Sequence, residues 1–168
     1  REPISAIKRA DVIVVSKCPN ELSKTEKQRI VNQFKFPSQQ VFFSRILYDD
    51  LIGFKSSQLI EVENILLITG IANPTPLLKH LEKTTNVHHL RFKDHHRFTE
   101  QDITQIHEKF DSFASRSKII VTTEKDFMRL RHFETIKAFV DHWYYQPITI
   151  KIDELKEFNL LINEYVIK

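Results

Sequence analysis

The chain is poor in cysteine and in glycine, and both scarcities narrow its possible functions. It has one cysteine, Cys18, in 168 residues, which excludes an internal disulfide framework and favours a reducing compartment. Its two glycines, Gly53 and Gly70, cannot form the G-x-x-x-x-G-K-[ST] loop that cradles nucleotide phosphates. No apolar run approaches the roughly 20 residues that cross a bilayer. These residues therefore contain no disulfide scaffold, no phosphate-binding loop of their own and no helical membrane span.

The charge balance is mildly basic. Lysine and arginine number 25 against 22 aspartates and glutamates, which gives a net charge of +3 and a pI near 8.9. That excess is too small to indicate a nucleic-acid partner, but it is compatible with a phosphate-bearing or anionic-membrane partner. The chain starts at Arg1 instead of a methionine and has no signal-peptide pattern, so we expect it to be a fragment of a longer protein.

Predicted strands alternate with predicted helices along most of the chain. Continuous apolar runs rich in β-branched residues are typical of strands that are covered on both faces, as in a parallel sheet. Helices are predicted where apolar residues recur every three or four positions behind a capping residue, as after Ser23 and Thr99. The predicted strands are residues 10–16, 40–48, 65–69, 86–92, 118–123 and 142–152. This alternation indicates βαβ units, and therefore an α/β fold with a mostly parallel sheet.

Two segments are less regular. Residues 49–63 mix glycine, serine, lysine and acidic residues without a clear period, and we interpret them as a linker or a turn with a short strand. Residues 142–152 alternate loosely and contain Pro147, which cannot donate to a ladder of hydrogen bonds, so this strand is expected at a sheet edge. A last helix is predicted to start at Asp153.

Polar loops follow four of the predicted strands. They are residues 16–17, 70–73, 94–96 and 122–126. The carboxyl ends of parallel strands meet at one edge of a sheet, and ligands of open α/β sheets bind at that edge. We therefore expect these loops to form one rim that carries an active site.

Asp94, His95 and His96 stand side by side in one of these loops. Imidazole is the side chain whose ordinary pKa lies nearest to physiological pH, and a neighbouring carboxylate can orient it for proton transfer. The tripeptide is therefore a candidate general base with its supporting acid. It is equally compatible with a charged turn from a strand into a helix, because such tripeptides also arise by chance.

Two other rim loops allow both a functional and a structural interpretation. Gly70 can permit a positive φ or a close backbone approach to an anion, or it can form a plain βα turn. Thr123 and Lys125 can offer a hydroxyl and a cation to a nucleotide, while Thr123 can also simply cap a helix. No set of cysteines and histidines has zinc-ligand spacing, so we expect no metal to be held by this stretch alone.

Five segments resemble the tetraacyldisaccharide 4'-kinase (lipid A 4'-kinase) family and occur in that family's order. They are R-E-P at residues 1–3, A-D-V-I-V-V-S-K-C-P at 10–19, G-I-A-N-P at 70–74, F-K-D-H-H-R-F-T at 92–99 and T-T-E-K-D at 122–126. The resemblance runs from Arg1 to about Ile152, and its most specific parts are D-H-H-x-[FY] and T-E-K-D. The chain is similar to the C-terminal half of the family. The family's Walker A loop, Walker B acids and a catalytic aspartate would lie upstream of Arg1.

The resemblance implies an activity and a location. The activity is ATP- and Mg²⁺-dependent transfer of a phosphoryl group to the 4'-hydroxyl of tetraacyldisaccharide 1-phosphate, a step of lipid A biosynthesis. The location is the cytoplasmic face of the inner membrane of a Gram-negative bacterium, with peripheral membrane contact and no nucleic-acid partner. Because this stretch has no P-loop, we expect it to be inactive on its own.

The resemblance also implies a domain organisation. Residues 1–48 would be the tail of a P-loop NTPase-like, three-layer core with a mostly parallel sheet, and residues 49–63 would be a linker. Residues 64–152 would form a smaller α/β C-terminal domain, and residues 153–168 a C-terminal helix. The strand at residues 40–48 would pair with the strand that ends at residue 152.

By the same resemblance, His95 corresponds to the first histidine of the D-H-H element. In the family this histidine works with the upstream aspartate to deprotonate the acceptor hydroxyl. Asp94 would orient or support His95. These two residues are the expected catalytic residues of the chain.

The nucleotide side is expected to involve residues from three segments. The resemblance places Glu2 beside the nucleotide's metal and Arg1 beside phosphate. Lys17, Thr123 and Lys125 are weaker candidates for contacts with the nucleotide.

Three alternatives stay open at the level of the sequence. The first is a non-catalytic α/β module that binds a sugar phosphate or a protein partner through the same rim. The second is a P-loop kinase that acts on a soluble sugar, and the third is a metal hydrolase that uses Asp94, His95 and His96. A ligand that binds without regard to nucleotide would favour the first, and a membrane-seeking segment elsewhere in the protein would count against the second. The third needs more carboxylates near the site than the sequence places there.

Overall fold

The computed structural model describes residues 4–34, 40–55 and 61–167. These residues form two compact units. One unit draws on Arg1–Leu47 and Thr149–Lys168, and the other is Tyr48–Ile148. Each unit has its own sheet.

The first unit is built on a three-stranded sheet. Its strands are β1 (Val12–Val15), β2 (Gln40–Tyr48) and β8 (Ile148–Ile152), in the order β1-β2-β8. β1 and β2 are parallel, and the helix α1 (Lys24–Phe34) lies between them in the sequence. Ser23 and Glu26 cap α1 reciprocally, because each side chain accepts a hydrogen bond from the other residue's backbone N–H. A 3₁₀ helix (Ile4–Arg9) precedes β1, and the helix α6 (Leu155–Val166) follows β8.

The second unit is built on a five-stranded, mostly parallel sheet. In chain order its strands are β3 (Ile52–Gly53), β4 (Asn64–Thr69), β5 (Asn86–Arg91), β6 (Lys118–Thr123) and β7 (Trp143–Gln146). Their order in the sheet is β3-β7-β6-β4-β5. β4 is parallel to β5 and to β6, and β6 is parallel to β7, whereas the two-residue strand β3 is antiparallel to β7. The predicted α/β class with a mostly parallel sheet is confirmed.

Among the described residues, four α-helices and one 3₁₀ helix (Val140–His142) belong to the second unit. The α-helices are α2 (Thr75–Leu81), α3 (Glu100–Asp111), α4 (Glu124–Leu130) and α5 (Glu134–Lys137). α3 starts at a complete capping box between Thr99 and Asp102, as the sequence predicts. The Thr123 side chain caps α4 by accepting a hydrogen bond from the backbone N–H of Asp126.

Helices cover both faces of the second sheet. Alternate residues of a strand point to opposite faces. Leu66, Ile68 and Ile120 pack in one cluster with α3, α4 and α5, while Ile65 and Leu67 pack in a second cluster with α2. The apolar runs of β4 and β6 are continuous because both of their faces are buried.

The strand predicted over residues 142–152 is two strands. β7 belongs to the five-stranded sheet and β8 to the three-stranded sheet, with Pro147 between them. Proline lacks the N–H that a continuous ladder needs, so the pairing changes at this residue. The predicted edge position is wrong for β7, because β3 lies outside it. The predicted pairing of residues 40–48 with this segment holds for β8 alone.

Candidate active site

Three of the four predicted rim loops lie at one edge of the five-stranded sheet. Thr69 of β4 is in register with Arg91 of β5, and the parallel neighbour β6 ends at Thr123. The loops that follow these strands therefore leave the sheet side by side. The fourth loop, which contains Lys17, follows β1 of the other sheet.

Asp126 connects two of these loops from a fully buried position. Its side chain is 0% exposed. The Oδ2 atom accepts hydrogen bonds from the Gly70 backbone N–H at 2.8 Å and from the Thr123 hydroxyl at 2.9 Å. Its Oδ1 atom lies 3.5 Å from Nη1 of Arg129. A buried carboxylate needs such partners, because taking an unpaired charge out of water is costly.

Neither glycine has a positive φ, so Gly70 is favoured by the close approach of other atoms and not by its backbone conformation. A Cβ atom on Gly70 would lie 3.2 Å from Oδ1 of Asp126 and 3.6 Å from the Lys93 carbonyl oxygen. The absence of a side chain lets the buried carboxylate reach the Gly70 N–H. Of the two structural reasons that the sequence offers for this glycine, the close approach is the one observed.

His95 is held in an uncommon backbone conformation at the rim. Its φ is 60°, in the left-handed region, where non-glycine residues are uncommon and histidine is among the better tolerated. The His95 N–H donates to the Gly70 carbonyl at 3.1 Å, and the next N–H, of His96, donates to the Lys93 carbonyl at 3.0 Å. These two bonds fix the turn that presents the His95 ring.

The His95 side chain is more exposed than the neighbouring Asp94, Lys125 and Arg129 side chains. It is 70% exposed, and its Nε2 atom lies 3.8 Å from Oδ2 of Asp94. The other ring nitrogen, Nδ1, lies 3.4 Å from Nη2 of Arg129. Nζ of Lys125 lies 3.8 Å from Oδ1 of Asp94, so this carboxylate faces both the imidazole and an ammonium group. An accessible imidazole beside a carboxylate is suited to accept a proton from a bound hydroxyl.

His96 has a different environment from His95. Its Nε2 lies 3.0 Å from Oδ2 of Asp102, and because an ionised carboxylate only accepts, this nitrogen carries a proton. The ring packs against Phe92 and Phe98, with centroid distances of 4.7 and 5.2 Å. Burial raises the pKa of Asp102, but the hydrogen bonds from His96 and Thr99 together hold that pKa below its ordinary value. His96 therefore anchors the start of α3, whereas the His95 ring stays exposed at the rim.

An open pocket of about 460 Å³ lies beside His95. Its lining residues are His95, His96, Arg97, Phe98, Arg129 and Phe133. Two guanidinium groups and two aromatic rings surround the imidazole. The pocket can therefore accept a ligand that has both an anionic group and an apolar or sugar-ring face.

The remaining residues predicted from the sequence have distinct positions. Thr123 is nearly buried and its hydroxyl is engaged with Asp126, whereas Lys125 is exposed at the rim. Lys17 is exposed after β1 and has a φ of 59°. Arg1 and Glu2 lie outside the described residues. Their roles toward a nucleotide stay predictions.

Asp126, Arg129 and Gly70 are linked in a way that sequence reasoning missed. The motif T-T-E-K-D contains Asp126, and an acidic residue in the first turn of a helix such as α4 has an ordinary explanation in the helix dipole. Its bond to Gly70 joins residues that are 56 positions apart. An aspartate three residues after a capping threonine is common at helix starts, so the sequence around Asp126 does not indicate a bond to a distant residue.

The fold and the rim define the class of protein. A parallel sheet with helices on both faces and polar side chains at its carboxyl edge is the arrangement of three-layer α/β proteins that bind ligands at that edge. Within this class the chain belongs to the tetraacyldisaccharide-1-P 4'-kinase family, whose family model matches residues 1–166. The resemblance seen in the sequence is confirmed.

Curated relatives carry the same family name. The tetraacyldisaccharide 4'-kinase of Parabacteroides distasonis is 36% identical over 179 residues, covering 99% of this chain and 48% of the relative. That of Flavobacterium johnsoniae is 36% identical over 172 residues, with the same two shares. The chain thus spans about half the length of the curated relatives that it matches.

A solved structure shares the fold. It is the LpxK protein of Aquifex aeolicus, described as an "apo" form in complex with ATP. The two align with a TM-score of 0.57 at 20% identity, over 98% of this chain and 45% of the other. This likeness shows a shared fold, in agreement with the α/β class with a mostly parallel sheet that the sequence predicts.

Proposed function

We propose that this chain is the part of an ATP-dependent kinase that supplies the general base for phosphorylation of the 4'-hydroxyl of tetraacyldisaccharide 1-phosphate. Membership of the family supports the reaction and the lipid A precursor as substrate. The observation that carries the assignment of the base is the His95 ring, which is exposed beside an open cationic pocket while its neighbour His96 is tied to Asp102.

In this reaction His95 takes the proton of the acceptor hydroxyl. The hydroxyl oxygen forms a bond to the γ-phosphorus of ATP, the bond from that phosphorus to the β,γ-bridging oxygen breaks, and ADP leaves with the electron pair. Such transfers depend mainly on positioning and charge stabilisation, with one group to accept the proton. Asp94, whose Oδ2 lies 3.8 Å from Nε2 of His95, stabilises the imidazolium that forms.

The P-loop that binds the nucleotide is assigned to a part of the protein upstream of Arg1, and residues of this chain are assigned further contacts with the nucleotide and its metal. The 168 residues contain no P-loop, and within residues 4–34, 40–55 and 61–167 no group of three or more His, Cys, Asp or Glu could hold a metal ion. ATP use is supported by the family. The assignment of Mg²⁺ to Glu2, and of nucleotide contacts to Arg1, Lys17, Thr123 and Lys125, rests on the resemblance.

The proposed location is the cytoplasmic face of the inner membrane, with peripheral contact. The matching relatives come from Bacteroides, Parabacteroides and Flavobacterium species, all with the Gram-negative envelope in which lipid A is made. Among the helices described, none is both long and apolar enough to cross a bilayer. The acylated substrate brings the protein to the membrane surface.

The test is phosphate transfer from ATP to tetraacyldisaccharide 1-phosphate by the full-length protein. We expect His95→Ala to lower kcat by about 100- to 10,000-fold, the usual contribution of a positioned acid or base. His132→Ala is the matched control, because His132 is exposed, is not among the residues that line the pocket, and accepts a hydrogen bond from Nε of Arg131 at its Nε2. The 168-residue chain alone should show no transfer. An unchanged kcat in His95→Ala, or transfer by the chain alone, would contradict the proposal.

A further inference from the structure

Arg129 presents one end of its guanidinium to the pocket beside His95. At the buried end, Nη1 lies 3.5 Å from Oδ1 of Asp126, and neither atom has a hydrogen-bond partner among the described residues. At the other end, Nη2 lies 3.4 Å from Nδ1 of His95, which is longer than an ordinary hydrogen bond. The side chain is 32% exposed and lines the pocket. Asp126 thus holds the guanidinium in place, and its outer N–H groups stay only weakly engaged.

The proton transfer to His95 determines where the transferred phosphoryl group lies. The acceptor hydroxyl must come within hydrogen-bond distance of the ring, roughly 2.6 to 3.2 Å, to give up its proton. The same oxygen must approach the γ-phosphorus of ATP to about 3 to 3.5 Å before the new bond forms. Because Nη2 of Arg129 already lies 3.4 Å from this ring, the oxygens of the phosphoryl group come within reach of the guanidinium.

The charges around the pocket favour such an anion. The guanidinium is always protonated and has only N–H donors. Its carboxylate partner, Asp126, is 0% exposed and is therefore not presented to a ligand. Arg97, which is exposed, lines the same pocket. Phosphoryl transfer spreads negative charge over three non-bridging oxygens, and charge-assisted bonds from guanidinium groups stabilise that charge.

We propose that Arg129 is a catalytic residue of the kinase, which donates hydrogen bonds to the oxygens of the phosphoryl group while it is transferred. The inference rests on the proposed function. Arg129 gives up no proton: the hydroxyl proton goes to His95, the hydroxyl oxygen bonds to the γ-phosphorus, and the electron pair of the broken bond leaves with ADP. The 1-phosphate of the acceptor is a different group, on the other sugar ring from the 4'-hydroxyl.

The incoming phosphoryl group also releases His95. While Nη2 donates to Nδ1, the lone pair of that nitrogen is occupied and cannot accept a proton. A charge-assisted bond from a guanidinium to a phosphate oxygen is shorter and stronger than this 3.4 Å contact with a neutral ring. The phosphoryl oxygen therefore draws Nη2 away from the ring, and the lone pair of Nδ1 becomes free for the hydroxyl proton.

The kinetic test is Arg129→Lys in the full-length protein. Lysine keeps a cation beside Asp126, but a single ammonium cannot pair with that carboxylate and also reach a phosphoryl oxygen beside His95. We expect kcat to fall about 100-fold, as on loss of one donor to developing charge, with KM for ATP unchanged. Arg131→Lys is the matched control and should leave kcat unchanged, because Arg131 is exposed and contacts His132 and Phe127. An unchanged kcat in Arg129→Lys would overturn the inference.

The acceptor's own phosphate is the other anion that Arg129 could bind, and a second acceptor tests it. A tetraacyldisaccharide without the 1-phosphate should show the same fall in kcat on Arg129→Lys. If the substitution instead raises only KM for tetraacyldisaccharide 1-phosphate, and this effect vanishes without the 1-phosphate, Arg129 binds that group. This result would overturn the inference.

A binding measurement keeps this inference separate from the proposed function. ADP with aluminium fluoride imitates the transferred phosphoryl group, and groups that act in the transition state bind such analogues more tightly than ground-state ligands. In calorimetric titrations we expect Arg129→Lys to weaken binding of this analogue about 100-fold and to leave binding of ADP alone unchanged. If the analogue binds Arg129→Lys as tightly as the unsubstituted protein, this inference fails even where His95→Ala is inactive. If binding is weakened but His95→Ala has an unchanged kcat, the base assignment fails and the phosphoryl contact stands.

Discussion

Two helices of equal length show how differently the two units bury their apolar residues. α3, in the unit Tyr48–Ile148, has three aliphatic or aromatic residues among its 12 and buries all of them, together with His107. α6, in the other unit, has seven such residues among its 12, and none of them is buried. Leu160 and Val166 are 67% and 77% exposed. The helix with the larger apolar content is the one that packs less.

The contrast separates what an amphipathic pattern predicts from what it leaves open. Periodic apolar residues predict a helix and the face that it would bury. They do not determine whether that face is covered, because cover depends on which elements the tertiary structure brings to it. In α3 the cover is the sheet, with Trp143 and Ile120 in the same cluster as Ile103. In α6, Phe158 packs edge-on against Phe42, and the other apolar side chains stay accessible in the described chain.

The largest expected effect is on stability, from truncating matched aliphatic side chains in the two helices. Ile106→Ala in α3 should lower the free energy of unfolding by about 2 to 5 kcal/mol, because its side chain is fully buried and a cavity would remain. Leu160→Ala in α6 should change it by less than about 0.5 kcal/mol, as surface substitutions usually do. Urea unfolding followed by far-UV circular dichroism compares the two variants. Trp143 fluorescence also follows the unfolding of Ile106→Ala, because Trp143 lies in the same core cluster as Ile106. A comparable loss in Leu160→Ala would mean that the face of α6 is covered.

Most strands and the longer helices were predictable because their signals are local, whereas the short helices Ile4–Arg9, Glu134–Lys137 and Val140–His142 were not predicted. The capping boxes at Ser23 and Thr99, and the buried runs of β4 and β6, each lie within about ten residues of sequence. The division of residues 142–152 between two sheets was not predictable in the same way. Pro147 marks an interruption in the sequence, but sheet membership depends on pairing with strands far away, such as β2.

The second expected effect is an acid destabilisation of the unit that contains α3. The indole N–H of Trp143 donates to Nε2 of His107 at 3.0 Å, and Phe139 stacks on the ring at 3.9 Å. Burial lowers the pKa of His107, although Asp111 opposes the shift. The folded state therefore disfavours protonation of His107 relative to the unfolded state. The stabilisation is complete above the ordinary histidine pKa and is lost as the pH falls through the lower pKa of the folded state.

This effect can be measured as a pH dependence of unfolding. Between the two pKa values of His107 the free energy of unfolding should fall by up to about 1.4 kcal/mol per pH unit from this residue alone. His107→Gln should be less stable near neutral pH and should show a shallower pH dependence. The pH dependence that persists in His107→Gln includes contributions from His80 and His89, because burial also lowers their pKa values. If the free energy of unfolding of His107→Gln falls with pH as steeply as that of the unsubstituted chain, this role of His107 is contradicted.

The sequence pointed to the residues that the structure brings to the rim, but not to the contacts that hold them there. The neighbouring carboxylate and imidazoles drew attention to Asp94 and His95, and the structure brings both to the rim with Lys125. The support comes from Asp126 and Arg129, which lie more than 30 positions from His95 in the sequence. Their contacts arise only once β4, β5 and β6 are aligned, so no spacing rule within one segment reveals them.

The smallest expected effect concerns an ion-pair cluster in the first unit. Asp153 pairs with Nζ of Lys27 at 2.5 Å and with Nη1 of Arg45 at 2.8 Å, and it joins the chain between β8 and α6 to α1 and β2. The hydrogen bond from Lys27 lowers the pKa of Asp153, with further lowering from Arg45. The contribution to stability is therefore present above the ordinary aspartate pKa and is lost as the pH falls through the lower value of the folded state.

Because these groups lie near the surface, the pairs should stabilise the fold only modestly. Asp153→Asn should lower the free energy of unfolding by about 0.2 to 1 kcal/mol in dilute buffer, and by less in 1 M salt, where charges are screened. Urea unfolding at both salt concentrations, followed by circular dichroism, measures the difference. Glu134→Gln is a matched control from the second unit, since its pair with Lys137 is more exposed and should contribute less. A loss as large as that of Ile106→Ala would mean that charge pairing, more than apolar burial, holds the first unit together.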